Sequence, residues 1–384
     1  MQRWDAVVVG SGPAGSTAAR ELAASGARVL IVDRAEFPRY KPCGGGIALR
    51  TERLLAFPIA AVVETSVSLL QVRHEGTCVA SRDARRPFAR MVMRNGFDAL
   101  LLDAARAAGA EFRANTHVVR VEEHANHARV IADGFEAAAA HVIGADGANS
   151  VVAKTTGLAQ GMYECAAWEL EVHVPPAVLA SFSETCVLGL GYRPWGYAWV
   201  FPKEGRLSVG VVLPAGSGRQ LRATADALIE ELGLPDARIE HAQGHKVRSR
   251  RAHEPVASDR VALVGDAAGL ADEFTQEGIF YAIRSGQLAA EAAMACMTGK
   301  PAPARYEASL DHEIMPELRA ARLIGYMFYG MLRRFGGTWL RGSRHAGSLW
   351  ESFFKAQRGD STYARELARA PWLAKAAAAR LDAR

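Results

Sequence analysis

The chain is short of cysteine, and the five it has are scattered: Cys43, Cys78, Cys165, Cys186 and Cys296 stand far apart, with no CxxC pair. An odd number without metal-ligand spacing argues against a disulfide framework and a zinc site, and fits a reducing compartment. Also absent is any apolar run near the roughly 20 residues that a spanning helix needs. The first apolar strand starts within a few residues of Met1, so no signal peptide is expected. These absences lead to a cytoplasmic protein that meets a membrane, if at all, peripherally. Blocks of like charge and low-complexity repeats are missing too, so extended disorder is not expected.

With 384 residues, the chain has length for two or three lobes. Its formal net charge is only +5, and much of the excess is late: from Asp311 to Arg384 there are thirteen Lys/Arg against seven Asp/Glu. That balance suits a solvated helical face, an anionic membrane surface or an acidic substrate. No nucleic-acid reader motif accompanies it, and no nucleic-acid partner is expected.

The strongest positive signal is "DAVVVGSGPAGSTAARELAASGARVLIVDR", residues 5–34. An apolar run enters Gly10-Ser11-Gly12-Pro13-Ala14-Gly15, a small-residue helix follows, and a second apolar run ends at Asp33 and Arg34. This order reads as strand, glycine turn, helix and parallel strand. Gly10 permits the turn, Gly12 lets backbone approach a pyrophosphate, and Gly15 allows close helix-to-strand packing, while the helix N-terminus offers N–H groups to phosphate. Asp33 is spaced to meet a ribose. An acid there disfavours a 2′-phosphate, leaving FAD or NAD as the resident nucleotide.

Two later stretches favour FAD. "HVIGADGANSVVAK" ends an apolar strand at Asp146, and "RVALVGDAAGLADEF" runs another strand into Gly265, Asp266 and Gly269 before a helix that begins near Gly278 and Ile279. Acids flanked by small residues at strand ends belong where ligands sit on an α/β sheet, although each pair also makes an ordinary turn. Asp266 is placed for ribityl or ribose hydroxyls.

The GxGxxG, GADG and GDAAG segments in this order resemble the glutathione-reductase-type FAD fold in its p-hydroxybenzoate-hydroxylase branch. "MVMRNGFDALLLDAARAAGAEF" resembles that branch as well, which implies that Arg94 lies near FAD. Within the branch, "KPCGGGI", "GYAWVFP" and "EGIFYAIRSGQLAAEA" resemble the geranylgeranyl reductase family, over about the first three quarters of the chain. The resemblance implies a resident FAD, an isoprenoid chain on a lipid, quinone or pigment whose carbon–carbon double bonds are reduced, and a transient donor, NAD(P)H or a reduced ferredoxin-like carrier. Only one dinucleotide fingerprint is visible, so the donor has no Rossmann domain of its own.

The residues themselves allow parallel readings. Gly44, Gly45 and Gly46 suit a loop lying against a flat ring, and Cys43 then faces it, as a lining group, a proton donor or a plain packing residue. Tyr197 and Trp199 are two apart, so in a strand they share a face that Phe201 extends, a surface for an extended hydrocarbon or part of a core. Cys43, Tyr197 and Trp199 are the expected catalytic residues. Two departures stand out: Gln276 replaces the family's glycine before EGI, and Asp272 and Glu273 stand where apolar residues or proline are usual.

"GYAWVFP" also resembles the GWxWxIP of flavin halogenases, but no lysine occurs between Lys41 and Lys154 to serve as theirs does. A flavin monooxygenase is the closest alternative, and a flavin-bound redox sensor a further one. The expected class is α/β, α+β overall: a Rossmann-like FAD-binding domain of 1–60, 90–155 and 255–300, an antiparallel-sheet substrate domain of 61–89 and 156–254, and a C-terminal helical region, 301–384.

Overall fold

The computed structural model describes residues 2–192, 195–234, 237–251, 253–297, 303–342 and 344–369. It divides into two compact units: Met1–Tyr40, Asn95–Tyr163 and Val247–Arg319 form the first, and Lys41–Arg94, Glu164–Lys246 and Ala320–Arg384 the second.

In the first unit, one sheet runs in the order Glu111–Arg113, Val29–Val32, Gln2–Val9, Phe135–Gly144, Ala128–Ala132 and Val118–Glu123, with Val261–Leu263 joined to Phe135–Gly144. The strands from Glu111–Arg113 to Phe135–Gly144, and Val261–Leu263, pair in parallel; Val118–Glu123 and Ala128–Ala132 add an antiparallel hairpin. Ala6, Val7 and Val8 are wholly buried, which is why the first strand reads as a continuous apolar run rather than an alternation. Helix Pro13–Ala24 approaches helix Ile279–Met297 so closely that a Cβ on Gly286 would lie 2.4 Å from the Ala14 carbonyl oxygen. Small residues on both helices fix that crossing, and with it the start of each helix beside the sheet's carboxyl edge.

The second unit carries a seven-stranded sheet ordered Arg238–Ser249, Tyr163–His173, Arg206–Pro214, Tyr197–Lys203, Thr185–Leu190, Leu69–His74 and Thr77–Asp83. Helix Gly218–Glu231 packs Leu221, Ala225, Leu228 and Ile229 into the apolar cluster of that sheet, with Val209 and Val211. The expected antiparallel sheet has one parallel pairing: Thr185–Leu190 runs parallel to Leu69–His74. The two strands lie far apart in the chain, so no hairpin imposes opposite directions on them.

The domain boundaries are corrected as well. Residues 41–60, expected with the nucleotide-binding part, join the second unit because Gly46–Ala48 pairs with Ala89–Val92, which also pairs with Val63–Val67. The C-terminal region is helical as expected, and its helices are divided between the two units. Up to Arg319 they belong to the first unit, where the Tyr306 hydroxyl donates to the Leu263 carbonyl at 2.6 Å; beyond it they belong to the second, where the Phe354 ring lies 5.0 Å from that of Phe88. Residues 370–384 of the expected region lie outside the described residues.

Among the described residues no helix is long and apolar enough to cross a membrane.

Candidate functional site

The glycine turn has the conformation its spacing predicts. Gly10 adopts φ +98°, and a Cβ on it would lie 2.4 Å from the Ala145 carbonyl oxygen; one on Gly15 would lie 1.9 Å from that of Gly10. Both positions therefore exclude side chains for reasons internal to the fold. Gly12 differs: the nearest atom to its Cβ position, Nη2 of Arg39, is 3.8 Å away. Its missing side chain leaves space in front of helix Pro13–Ala24, whose N-cap is Gly12 itself, without a side-chain cap. Ala14, inside the first turn, is buried.

Asp33 closes the turn. Its Oδ2 accepts from the Ser11 amide and hydroxyl, both at 2.7 Å, and its Oδ1 accepts from the Ala35 amide at 2.9 Å. A carboxylate offers about four acceptor positions, so one remains for a ribose hydroxyl. Arg34 beside it is exposed.

Arg39 belongs to no motif in the sequence. It pairs with the fully buried Asp98 at 3.1 Å and lies over the Phe37 ring at 4.7 Å, while its Nη1 is buried with no hydrogen-bond partner. A guanidinium beside Gly12, half committed to a carboxylate, has a donor left for an oxyanion. Arg94, by contrast, is the buried first residue of helix Arg94–Ala107, the helix that carries Asp98.

The two later acids diverge. Asp146 caps helix Val151–Thr156, accepting from the Ser150 hydroxyl at 2.5 Å and the Val151 and Val152 amides at 2.6 and 3.1 Å; burial still pushes its pKa above the usual carboxylate range. The acid of the GADG segment thus caps a helix, with three of its acceptor positions engaged. Asp266 instead places Oδ1 3.4 Å from the Cβ position of Gly278, next to Ile279, which opens helix Ile279–Met297. Gly265 and Gly269 have φ +55° and +65°, and a Cβ on Gly269 would lie 2.2 Å from Sδ of Met162.

Between these glycines and the helix, Asp272 is fully buried and holds its own loop. Its Oδ1 accepts from the Phe274 and Thr275 amides at 2.9 and 2.6 Å, and its Oδ2 from the Thr275 hydroxyl at 2.7 Å. Glu273 pairs with Arg251. Gln276 follows at φ +57°, with both amide atoms buried and unpartnered.

In the second unit the Cys43 loop lies on the aromatic strand. A Cβ on Gly44 would come within 2.9 Å of the Phe201 ring and of Nε1 of Trp199; one on Gly45, at φ +72°, would lie 2.1 Å from the Val92 carbonyl oxygen. Packing within the protein is by itself enough to require glycine at both positions. Cys43 Sγ accepts from the Gly45 amide at 3.4 Å. Tyr197, Trp199 and Phe201 form the expected row, their ring centres 6.1 and 6.4 Å apart. Trp199 Nε1 donates to the Ser208 hydroxyl at 3.4 Å, which in turn donates to the buried Glu169 at 3.3 Å. Along the same strand, buried Lys203 is bonded to buried Glu171. Alternation within strands hid these charges from the sequence reading.

The residues of the first unit fit a dinucleotide diphosphate: an open glycine at an uncapped helix start, and beside it a buried guanidinium nitrogen without a partner. Comparisons with known proteins agree. The model of the FAD binding domain matches residues 3–300. The chain is 34% identical over 312 residues to a geranylgeranyl diphosphate reductase of Rhodobacter capsulatus, covering 78% of each chain. It is 30% identical over 317 residues to a digeranylgeranylglycerophospholipid reductase of Methanosarcina mazei, covering 76% of this chain and 75% of the other. A crystal structure of a geranylgeranyl bacteriochlorophyll reductase-like protein from Thermoplasma acidophilum superposes with a TM-score of 0.76 at 25% identity, covering 89% and 90% of the two chains.

Proposed function

The chain belongs to the geranylgeranyl reductase family of FAD-binding proteins, and from that premise we propose that it reduces carbon–carbon double bonds in the isoprenoid chain of a lipid, quinone or pigment. The observation that carries the substrate class is the row Tyr197–Trp199–Phe201, three aromatic faces in line on one strand beside the Cys43 loop. Such a row buries an extended hydrocarbon with little loss of side-chain entropy.

When bound, FAD supplies the two-electron step: a hydride to one alkene carbon, with a proton reaching the other, after recharging by NAD(P)H or a ferredoxin-like donor. Gly12 and the helix start bind the diphosphate, with Gly10 and Gly15 shaping the turn that presents them, Arg39 adds a charged donor, and Asp33 and Asp266 take ribose and ribityl hydroxyls. Tyr197 and Trp199 orient the chain, and their π faces favour positive charge developing at the alkene. Ser208 and Glu169 hold the Trp199 indole in register. Cys43, on the glycine loop, lines the substrate's path.

An isoprenoid substrate of this kind lives in or on a membrane. Helix Met315–Phe335 ends in exposed Met331, Arg333, Arg334 and Phe335, an apolar and cationic tip suited to peripheral contact with an anionic surface.

The test is anaerobic. The yellow protein is reduced with dithionite and mixed with geranylgeranyl-bearing lipids, quinones and pigments, while flavin reoxidation and product mass are followed together. Gain of hydrogen pairs in step with reoxidation supports the reading. A flavin that stays reduced until oxygen is admitted replaces it with a monooxygenase.

A further inference from the structure

Gln276 combines two unfavourable features. Its backbone sits at φ +57°, the left-handed region in which a residue with a side chain is strained, and its amide Nε2 and Oε1 are both buried without a hydrogen-bond partner. A glycine would avoid both.

Hydrogen bonds hold the backbone in this conformation. The Gln276 amide donates to the Asp272 carbonyl at 3.0 Å, and the Asp272 amide donates to the Glu277 carbonyl at 3.0 Å, closing the loop on itself. Within it the Asp272 carboxylate, fully buried, takes the three bonds already described. Glu277 Oε1 accepts from the Phe280 amide at 2.7 Å, tying the loop to the start of helix Ile279–Met297. The Gln276 side chain is thus presented from a fixed frame. Strain of this kind persists where surrounding structure over-determines it, and it concentrates at ligand clamps.

A buried amide with both ends unmet calls for a partner that offers an acceptor and a donor side by side. FAD has two such edges: the pyrimidine edge of the isoalloxazine, where N3–H lies between two carbonyls, and the edge of adenine. The topology separates them. Val29–Val32, ending at Asp33, flanks Gln2–Val9 on one side; Phe135–Gly144 flanks it on the other, with Val261–Leu263 beyond, leading to Asp266. The two acids therefore stand on opposite sides of the glycine turn. Asp33 takes the ribose of the adenosine half, and Gln276 is on the Asp266 side, two residues from Gly278, whose Cβ position lies 3.4 Å from the Asp266 carboxylate. With the adenosine half at Asp33, the other half of the dinucleotide, the flavin, falls to the Asp266 side.

We propose that Gln276 recognises the flavin of FAD through a paired hydrogen bond, its Oε1 accepting from flavin N3–H and its Nε2 donating to an adjacent flavin carbonyl. The pairing satisfies both buried amide atoms at once and explains why a strained glutamine is held at this position. It rests on FAD as the cofactor and not on the isoprenoid substrate, so the inference and the function proposed above fail separately.

The experiment uses the FAD-loaded protein and its Gln276→Leu and Gln276→Gly variants. Leucine keeps the bulk and removes both polar atoms; glycine also removes the strain, so it folds even where leucine does not. The FAD dissociation constant is measured by flavin fluorescence, and the NMR shifts of FAD labelled with ¹⁵N at N3 and ¹³C at its carbonyls are compared. Both variants are expected to bind FAD about tenfold more weakly, with N3 and one carbonyl shifting toward their values in a less hydrogen-bonded flavin. Variants that hold FAD within twofold of the parent, with unchanged N3 and carbonyl shifts, overturn the proposal. Unchanged flavin shifts with an altered KM for an isoprenoid overturn it too, and give the amide to the substrate.

Discussion

Gly210 leaves the space that the Trp199 indole occupies: a Cβ built on Gly210 would lie 2.0 Å from Cζ2 of Trp199. The two residues face each other across the pairing of Tyr197–Lys203 with Arg206–Pro214, and Ser208, two residues before Gly210, takes the indole N–H. One strand thus provides both the room for the ring and the bond that orients it.

Gly210→Ala is therefore expected to displace the indole. Overpacking of this kind costs about 1–3 kcal/mol, and isoprenoid turnover should fall further than stability alone explains. Urea unfolding and steady-state kinetics check both. Trp199→Phe in the Gly210→Ala background should recover stability, and its failure to do so would show that the clash lies elsewhere.

Gly12 and Gly15 separate binding from folding. Gly12→Ala places a methyl where the nearest atom is 3.8 Å away, so the unloaded fold should lose no more than about 1 kcal/mol. Its FAD affinity should drop at least about tenfold, because the methyl occupies the approach to the diphosphate. Gly15→Ala, 1.9 Å from the Gly10 carbonyl oxygen, should fail to accumulate as folded protein. Equal behaviour of the two variants would contradict the assignment of Gly12 to the ligand.

Arg39→Ala is expected to weaken FAD binding by about tenfold or more and to destabilise the protein, since Asp98 is left buried without its cation. Arg39→Lys should retain much of the stability but only part of the affinity, because an ammonium lacks the planar fork. Flavin fluorescence titration beside thermal unfolding separates the two effects. A variant that loses stability but not FAD would restrict Arg39 to holding Asp98.

The Lys203–Glu171 pair offers a test of cost. Lys203→Met strands a buried carboxylate whose Oε2 already lacks a partner, and should cost about 3–5 kcal/mol. Lys203→Met combined with Glu171→Leu should recover most of that loss. A double variant no more stable than the single one would show that the ions hold the strand by more than mutual charge.

Burial, helped by nearby Arg260, lowers the pKa of His141 below its ordinary 6.5. The unfolded chain therefore binds a proton that the folded chain refuses, between 6.5 and the lower folded value. In that window this contribution to stability falls as the pH falls, and it is fully present above 6.5. His141→Gln should flatten the loss between pH 6.5 and 5. Parallel pH–stability curves for the parent and the variant would remove His141 from the acid response.

The nucleotide-binding half was legible because its chemistry is local. Gly10, Gly12, Gly15 and Asp33 act within one strand–turn–helix–strand unit, so their spacing carries nearly all of their meaning. Residues two apart on a strand share a face, and the Tyr197–Trp199–Phe201 row followed from that rule. Family membership, too, was carried by short motifs in the right order. What the sequence could not decide were relations made by chain segments that meet only on folding. Asp146 reads like Asp266 until one is seen capping a helix and the other facing Gly278. The glycines after Cys43 read as room for a ligand, yet Gly44 and Gly45 are filled by Trp199, Phe201 and Val92 from strands far along the chain. Arg39 carries no motif, and Gln276 stood out only as a departure from one; burial with unmet hydrogen-bonding atoms is what marks them in the fold. Local spacing fixes the backbone's turns and faces, whereas which polar atoms are left without a partner depends on every segment that packs around them.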